Sequence, residues 1–324
     1  MNFIDSQFSL FKECLGWHAD RIKTFLGMIE GAIITGKTSQ TRIASCFDRQ
    51  SSQKSLQRTI EKFYQFQNID HKKVAKLIVK ILGTQGKMKL SIDRTNWERG
   101  KNSIKFLIVS VEVNPRLTVP LFWKALDSQG NSDQKERCDL LDDFIDVFGK
   151  EAIQSIEGDR EFIGEKWFDY LQENTDHFYM RVKHNMLIED ENGREKHLST
   201  YFQGLKERES STLTAEKDGV FYYYHGKRLK DGEWLFICSS NSDKFESLRL
   251  YKDRWSIERT FFNMKTNGFN IEDTHITKLD RLEKLMALVA LSLCFCAQTG
   301  NILVKKTHTN KKKHSIHLRN QFFC

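Results

Sequence analysis

An α/β fold built on a mixed sheet is predicted by three observations. Residues 1 to about 80 carry apolar side chains at helical spacing. From Lys87 the pattern changes to runs rich in β-branched and aromatic residues, the composition of strands. Helical and strand-like runs then alternate, as an α/β sheet requires.

Phe8, Phe11, Cys14 and Leu15 recur at the intervals of an amphipathic helix. Thr41 to Cys46 reads as the close of a short helix, and Ser52 or Ser55 as the cap of the next, which carries Arg58, Lys62 and Tyr64. Two short helices around a polar turn fit a helix-turn-helix reader of DNA, and they fit a plain helical bundle equally well. Met88 to Asp93, Ile104 to Val113 and Leu117 to Leu126 are predicted strands. Gln134 to Phe148 is a predicted helix with Leu140, Leu141, Phe144 and Phe148 on its apolar side. A short strand, Ala152 to Glu157, leads into Gly158 and Asp159, followed by a helix from Arg160 to Glu173 and a strand from His177 to Lys183. Three strands, a helix, a strand and a further helix give the order of a ribonuclease-H-like mixed sheet, opening on an antiparallel meander. Short strands with charged, Gly-containing turns from about 186 to 238 predict a β-rich insertion. Helices resume at Lys244 and run through Lys265, and a last one covers Asp280 to Leu303. The expected divisions are 1–80 (helical), 81–185 (first part of the core), 186–243 (insertion), 244–304 (C-terminal helices of the core) and 305–324 (basic tail).

Composition narrows the function classes. Hydrophobic residues make up 39% of the 324, enough for a sizeable core. Lys and Arg outnumber Asp and Glu by 51 to 43, and the net charge of +8 points to an anionic partner, most often nucleic acid. The seven cysteines form no CxxC pair, and the close pair Cys294 and Cys296 lies in an apolar run without nearby His, which argues against structural zinc. Reduced thiols in the cytosol are expected. The longest apolar stretch, Leu285 to Ala297, is short for a membrane span and reads as a buried helix, so no membrane is expected.

Asp93 and Asp159 each follow an apolar strand-like run, where a carboxylate is displayed above the core. An Asp there is ordinary in a turn, yet two on neighbouring strands are suited to sharing a pair of metal ions. The strongest pattern runs from Tyr251 to Lys265. On one continuous helix, Tyr251, Arg254, Glu258 and Lys265 fall within about 60° of one another. Trp255, Ile257, Phe261, Phe262 and Met264 occupy other faces, so the helix is substantially buried and its polar stripe must meet something polar.

That spacing (Tyr251, two residues, Arg254, three residues, Glu258, six residues, Lys265) resembles the signature of insertion-sequence-4-type DDE transposases. The run from Asp159 to Gly164 and the polar stretch after Asp93 are similar to the same family, and the likeness covers about 87 to 297. The resemblance implies a ribonuclease-H-like catalytic core interrupted by a β-rich insertion between Asp159 and Glu258. It implies a metal-binding catalytic triad of Asp93, Asp159 and Glu258, with Mg²⁺ as the ion and Mn²⁺ as its substitute. Tyr251, Arg254 and Lys265 would then be phosphate clamps, Arg254 being the best bidentate match. Trp255 adjoins Arg254, and Trp234 is either a core strand residue or, as in relatives that cut through a hairpin, a platform for a flipped base. Arg181 and Lys183, with His184, close a strand where the family often contacts DNA. Lys311 to Lys313 are expected to hold the phosphate backbone.

The expected function is therefore metal-dependent cleavage and strand transfer at the ends of a bacterial insertion sequence. The expected partners are double-stranded DNA, as transposon ends and target, and a second copy of the chain on that DNA, with no small-molecule substrate. A separate C-terminal dimerisation domain, present in some relatives, is not recognised. Recognition of the terminal inverted repeats falls to the N-terminal helices by elimination. A catalytically silent DNA-binding derivative and a ribonuclease-H-like nuclease of another role are the competing readings. The intact triad argues against the first, and the Tyr-Arg-Glu-Lys stripe against the second.

Overall fold

Helix ends in the first quarter of the chain are written in capping residues. Helix α1 (Phe3–Leu15) starts at Asn2, whose side chain accepts from the Asp5 amide, and stops at Gly16 with φ of 69°. Helices α2 (Ala19–Thr35) and α3 (Gln40–Ala44) follow. Ser52, not Ser55, caps α4 (Gln53–Phe66), and Asp70 caps α5 (His71–Leu82) through two backbone amides. The computed structural model describes residues 2–48, 51–99, 102–126, 133–189, 193–217 and 220–311.

The sheet begins with β1 (Met88–Arg99), β2 (Asn102–Asn114) and β3 (Leu117–Leu126), an antiparallel meander. Helix α6 (Gln134–Phe148), with its Asp133–Glu136 capping box, crosses to β4 (Ile153–Gly158), which pairs parallel with β1. Helix α7 (Glu165–Asn174) crosses to β5 (His177–Arg181), parallel with β4. This is the predicted ribonuclease-H-like mixed sheet. The following strands, β6 (Leu187–Glu189), β7 (Glu195–His197), β8 (Ser210–Lys217), β9 (Val220–Arg228) and β10 (Trp234–Ser239), extend the same sheet. The described strands run β3-β2-β1-β4-β5-β10-β9-β8-β6-β7, with β10 antiparallel on β5. An open edge at β5 is thereby paired by the chain itself.

Four elements differ from expectation. Strand β1 runs on to Arg99 rather than ending at Asp93, because β2 continues to pair with it after β4 has stopped. The helix expected from Arg160 begins at Glu165. The helix expected from Lys244 through Lys265 is interrupted. Helix α8 (Lys244–Asp253) gives way at Arg254 to α9 (Trp255–Phe262), and a π-helical turn (Asn263–Asn267) follows. The last helix, α10 (Leu279–Lys311), is longer than expected. Its segment Leu279–Gly300 is long and apolar enough to cross a bilayer, but 72% of its most apolar window is buried inside this fold. Of the expected basic tail, residues 312–324 lie outside the described residues.

One contiguous hydrophobic core joins the N-terminal helices, the sheet and α10. Phe295 packs on Phe3 at 5.0 Å and Phe11 at 6.3 Å between ring centroids. The free edge of β3 is covered by α9 and α10. Thr260 Oγ1 accepts from the Thr118 amide at 3.3 Å and donates to the Thr118 carbonyl at 2.9 Å, and Glu283 accepts from the Ala125 amide.

Candidate active site

Register brings the two predicted aspartates together. Ile92 and Gly158 form the last pair between the parallel strands β1 and β4, so Asp93, still within β1, and Asp159, just past the end of β4, stand side by side. Gly158 makes this approach possible, since a Cβ there would lie 2.7 Å from Met180 Sδ and 3.2 Å from Ile92 Cγ2. Each carboxylate accepts from the next backbone amide, Asp93 from Arg94 and Asp159 from Arg160, both at 2.8 Å. Burial pushes the Asp93 carboxyl up to about 6, against the opposing pull of Arg254.

The interrupted helix lies over this pair. Arg254 is only 5% exposed; its Nη1 donates to Asp93 Oδ2 at 3.1 Å and its Nη2 to Glu258 Oε1 at 2.7 Å. The guanidinium fork therefore links the first predicted carboxylate to the third, rather than standing open toward solvent. Its Nε is a buried donor without a partner among the described residues. Tyr251 Oη donates to Asp159 Oδ1 at 3.5 Å, and Arg181 Nη1 lies 3.9 Å from the same oxygen. Lys265 is carried by the π-helical turn and donates to the carbonyl of Asn96 on β1 at 2.6 Å. Burial lowers the Lys265 ammonium below its usual range. The break at Arg254 and the π turn replace the single straight stripe, yet Tyr251, Arg254, Glu258 and Lys265 each contact a neighbouring part of the site.

Beside the aspartates opens a cleft of about 630 Å³, lined by Arg94, Glu161, Arg160 and Lys183 among others. Arg94 forks onto Glu161 through Nε at 2.8 and 3.0 Å and through Nη2 as well. Arg137 donates to the Glu161 carbonyl at 2.9 Å. This pair ties the residue after Asp93 to the turn after Asp159. The sequence reading missed it, although both residues adjoin the aspartates. It also missed Glu157, which is 1% exposed and sits two residues before Asp159, on the same side of β4. Burial first, then Glu112, raises its carboxyl well above the usual range.

Two predicted residues lie apart from this cluster. Trp234 opens β10, stacks on Phe236 with centroids 5.4 Å apart and carries Arg228 at 4.4 Å over its ring. Trp255 points outward, 65% exposed.

Among the described residues no three carboxylate, His or Cys groups are already gathered closely enough to hold a metal ion. The donor types nevertheless suit a hard divalent cation. Asp93 and Asp159 adjoin, and Glu258 is 44% exposed and, among the described residues, tied to Arg254 alone.

A family model described as a transposase DDE domain matches residues 84–295. No curated protein matches the chain. Among solved structures, it is similar to a piggyBac transposase in a synaptic complex with hairpin DNA, at 13% identity and a TM-score of 0.49, covering 90% of this chain and 68% of that one. It is less similar to endonuclease V from Bacillus subtilis, at 10% identity and a TM-score of 0.27, covering 60% and 86%.

Proposed function

Because the chain belongs to the transposase DDE-domain family, whose members cut and transfer DNA strands, we propose that it is an active transposase of the insertion-sequence-4 type. It would bind the terminal inverted repeats of its element and carry out cleavage and strand transfer there. One observation carries this reading: Asp93 within β1 and Asp159 just past β4 stand side by side, and Arg254 connects Asp93 to Glu258.

In this proposal Asp93, Asp159 and Glu258 hold the divalent ions, Mg²⁺ with Mn²⁺ as substitute. Bound there, such ions supply charge that activates a water or a DNA 3′-hydroxyl and stabilises the leaving oxygen. The protein's own part is to place and neutralise. Arg254 balances the carboxylates, and its unpartnered Nε suits a phosphate oxygen. Tyr251, Arg181 and Lys183 orient the strand from the Asp159 side, and Lys265 does so from the β1 side. Trp234 and Trp255 are assigned to DNA contact, the helices before residue 80 to end recognition, and a second copy of the chain to the other DNA end.

The test is nicking of a labelled duplex carrying the element's terminal repeat, with Mg²⁺, by wild type and Glu258→Gln. Nicking at the repeat boundary by wild type alone is the expected result. Equal nicking by the variant, or nicking by wild type in a chelator, removes Glu258 or the metal from the reading.

A further inference from the structure

The inward side of α8 and α9 reaches the aspartates, but the outward side is unusual for a solvated helix face. Phe245, Trp255 and Phe262 are 73%, 65% and 58% exposed. Between them stand Arg249, Lys252 and Arg259, also exposed. The order Phe245, Arg249, Lys252, Trp255, Arg259, Phe262 advances by three or four residues at every step, the spacing of one helix side. Arg254 keeps right-handed helical angles, so the side continues across the break. Lys252 and Arg259 have no ion-pair partner among the described residues, and Arg249 meets Asp253 only at 3.8 Å. Glu258, which flanks the stripe, is paired with Arg254.

We propose that this outer stripe is a docking surface for DNA with unpaired bases, such as a strand leaving the cleft beside Asp93 and Asp159. The inference rests on the transposase reading above. Three exposed aromatic rings, Phe245 with Lys244 Nζ 5.2 Å over one of its faces, offer stacking surfaces to bases, and three cations between them match successive phosphates. Duplex DNA hides its base faces in the stack, so it would engage only the cations. A second copy of this chain fits poorly. A two-fold contact would bring Arg249, Lys252 and Arg259 against their own like charges, and the exposed carboxylate beside them, Glu258, is already paired with Arg254. Position favours a strand as well, because the stripe lies on the two helices that flank Arg254, the second of which carries Glu258.

The experiment is fluorescence anisotropy of the full chain with a labelled oligothymidylate and with a duplex of equal length. Wild type is expected to bind both. Phe245→Ala and Phe262→Ala should each weaken oligothymidylate binding about tenfold while leaving duplex binding unchanged. Arg259→Gln should lower the salt slope of single-strand binding by about 0.7. Phenylalanine variants that bind oligothymidylate as wild type does overturn the stripe and leave the transposase reading standing. A wild type that binds neither DNA overturns both. Phenylalanine variants that keep their single-strand affinity and lose sedimenting dimers give the surface to a second copy instead.

Discussion

Arg254 shows how much one side chain does in this site. Its guanidinium is almost wholly buried between Asp93 and Glu258, and burial raises the Asp93 carboxyl to about 6 even with that cation beside it. Removing the cation leaves Asp93 desolvated and unpaired, which costs more than the pair contributes when intact. Arg254→Ala is therefore expected to lower the unfolding free energy by about 3 kcal/mol, read from urea denaturation. Adding Asp93→Asn should restore much of that loss, since it removes the stranded charge. A double variant as unstable as Arg254→Ala would show that the cation's packing matters and the charge pair does not. Arg254→Lys should keep part of the stability but cut strand cleavage sharply, because a shorter side chain ending in a point charge lacks the planar fork whose two Nη atoms reach Asp93 and Glu258. At this scale the residue types and spacing were legible in the sequence. The partners were not, since the sequence does not say that the Arg254 fork would be held by Asp93 and Glu258, or that Arg94 would close on Glu161.

Elements hold these residues through a few buried polar joints. Thr260, two residues after Glu258, binds both the amide and the carbonyl of Thr118, and the two hydroxyls lie 3.0 Å apart. Thr260→Val removes these bonds and leaves the Thr118 amide buried without a partner. A loss of about 1–3 kcal/mol is expected in denaturant unfolding, with Thr260→Ser close to wild type. A second joint fastens the added strands to α8. His225 on β9 is fully buried; its Nε2 donates to the Asn241 carbonyl at 2.9 Å and its Nδ1 accepts from Thr212 at 2.9 Å. Asn241 in turn donates to Tyr179 and Glu246, both at 3.0 Å. Burial lowers the His225 pKa, so the folded chain binds fewer protons than the unfolded one just below the usual histidine range. Its contribution to stability is present above about pH 6.5 and is lost as pH falls toward the lowered value. Thermal unfolding of wild type should therefore worsen from pH 7.5 to 5.5 more than that of His225→Gln, and equal losses would remove His225 as the cause. Strand and helix types were readable from β-branched runs and helical periodicity. The break at Arg254 was not, because Asp253, Arg254 and Trp255 are all compatible with a continuing helix, and tertiary contacts with Asp93 and Glu258 decide the local geometry.

The whole molecule raises a question that sequence periodicity does not answer: how independent the first five helices are. The family likeness spans residues 84–295 and omits them, yet α10, which begins inside that span and runs past its end, is packed against them. Lys284 Nζ donates to the Tyr64 carbonyl at 2.8 Å, Gln298 to that of Ile81 at 3.2 Å, and Cys294 Sγ lies 3.7 Å from that of Ile78. The His71 ring lies tilted against Trp123 of β3, centroids 5.1 Å apart, and faces Glu283 of α10 at 3.8 Å. The apolar character of Leu285 to Ala297 signalled burial, but which side each residue met depended on contacts more than two hundred residues away in sequence. Cutting the chain before residue 84 would uncover Phe295, Cys294 and the rest of the α10 surface that faces those helices, each large apolar side chain being worth roughly 1.5–3 kcal/mol of burial. Stability margins of domains are about 5–15 kcal/mol, so losing several such contacts exceeds what the remainder can carry. A fragment of residues 84–324 is therefore expected to be insoluble or to unfold without a cooperative transition, whereas the full chain should melt in one. Co-expression of residues 1–83 with that fragment should recover soluble protein, because the two parts share one core. A fragment 84–324 that melts cooperatively on its own would mean that the helices before β1 form a separable unit, free to be exchanged without cost to the sheet that carries Asp93 and Asp159.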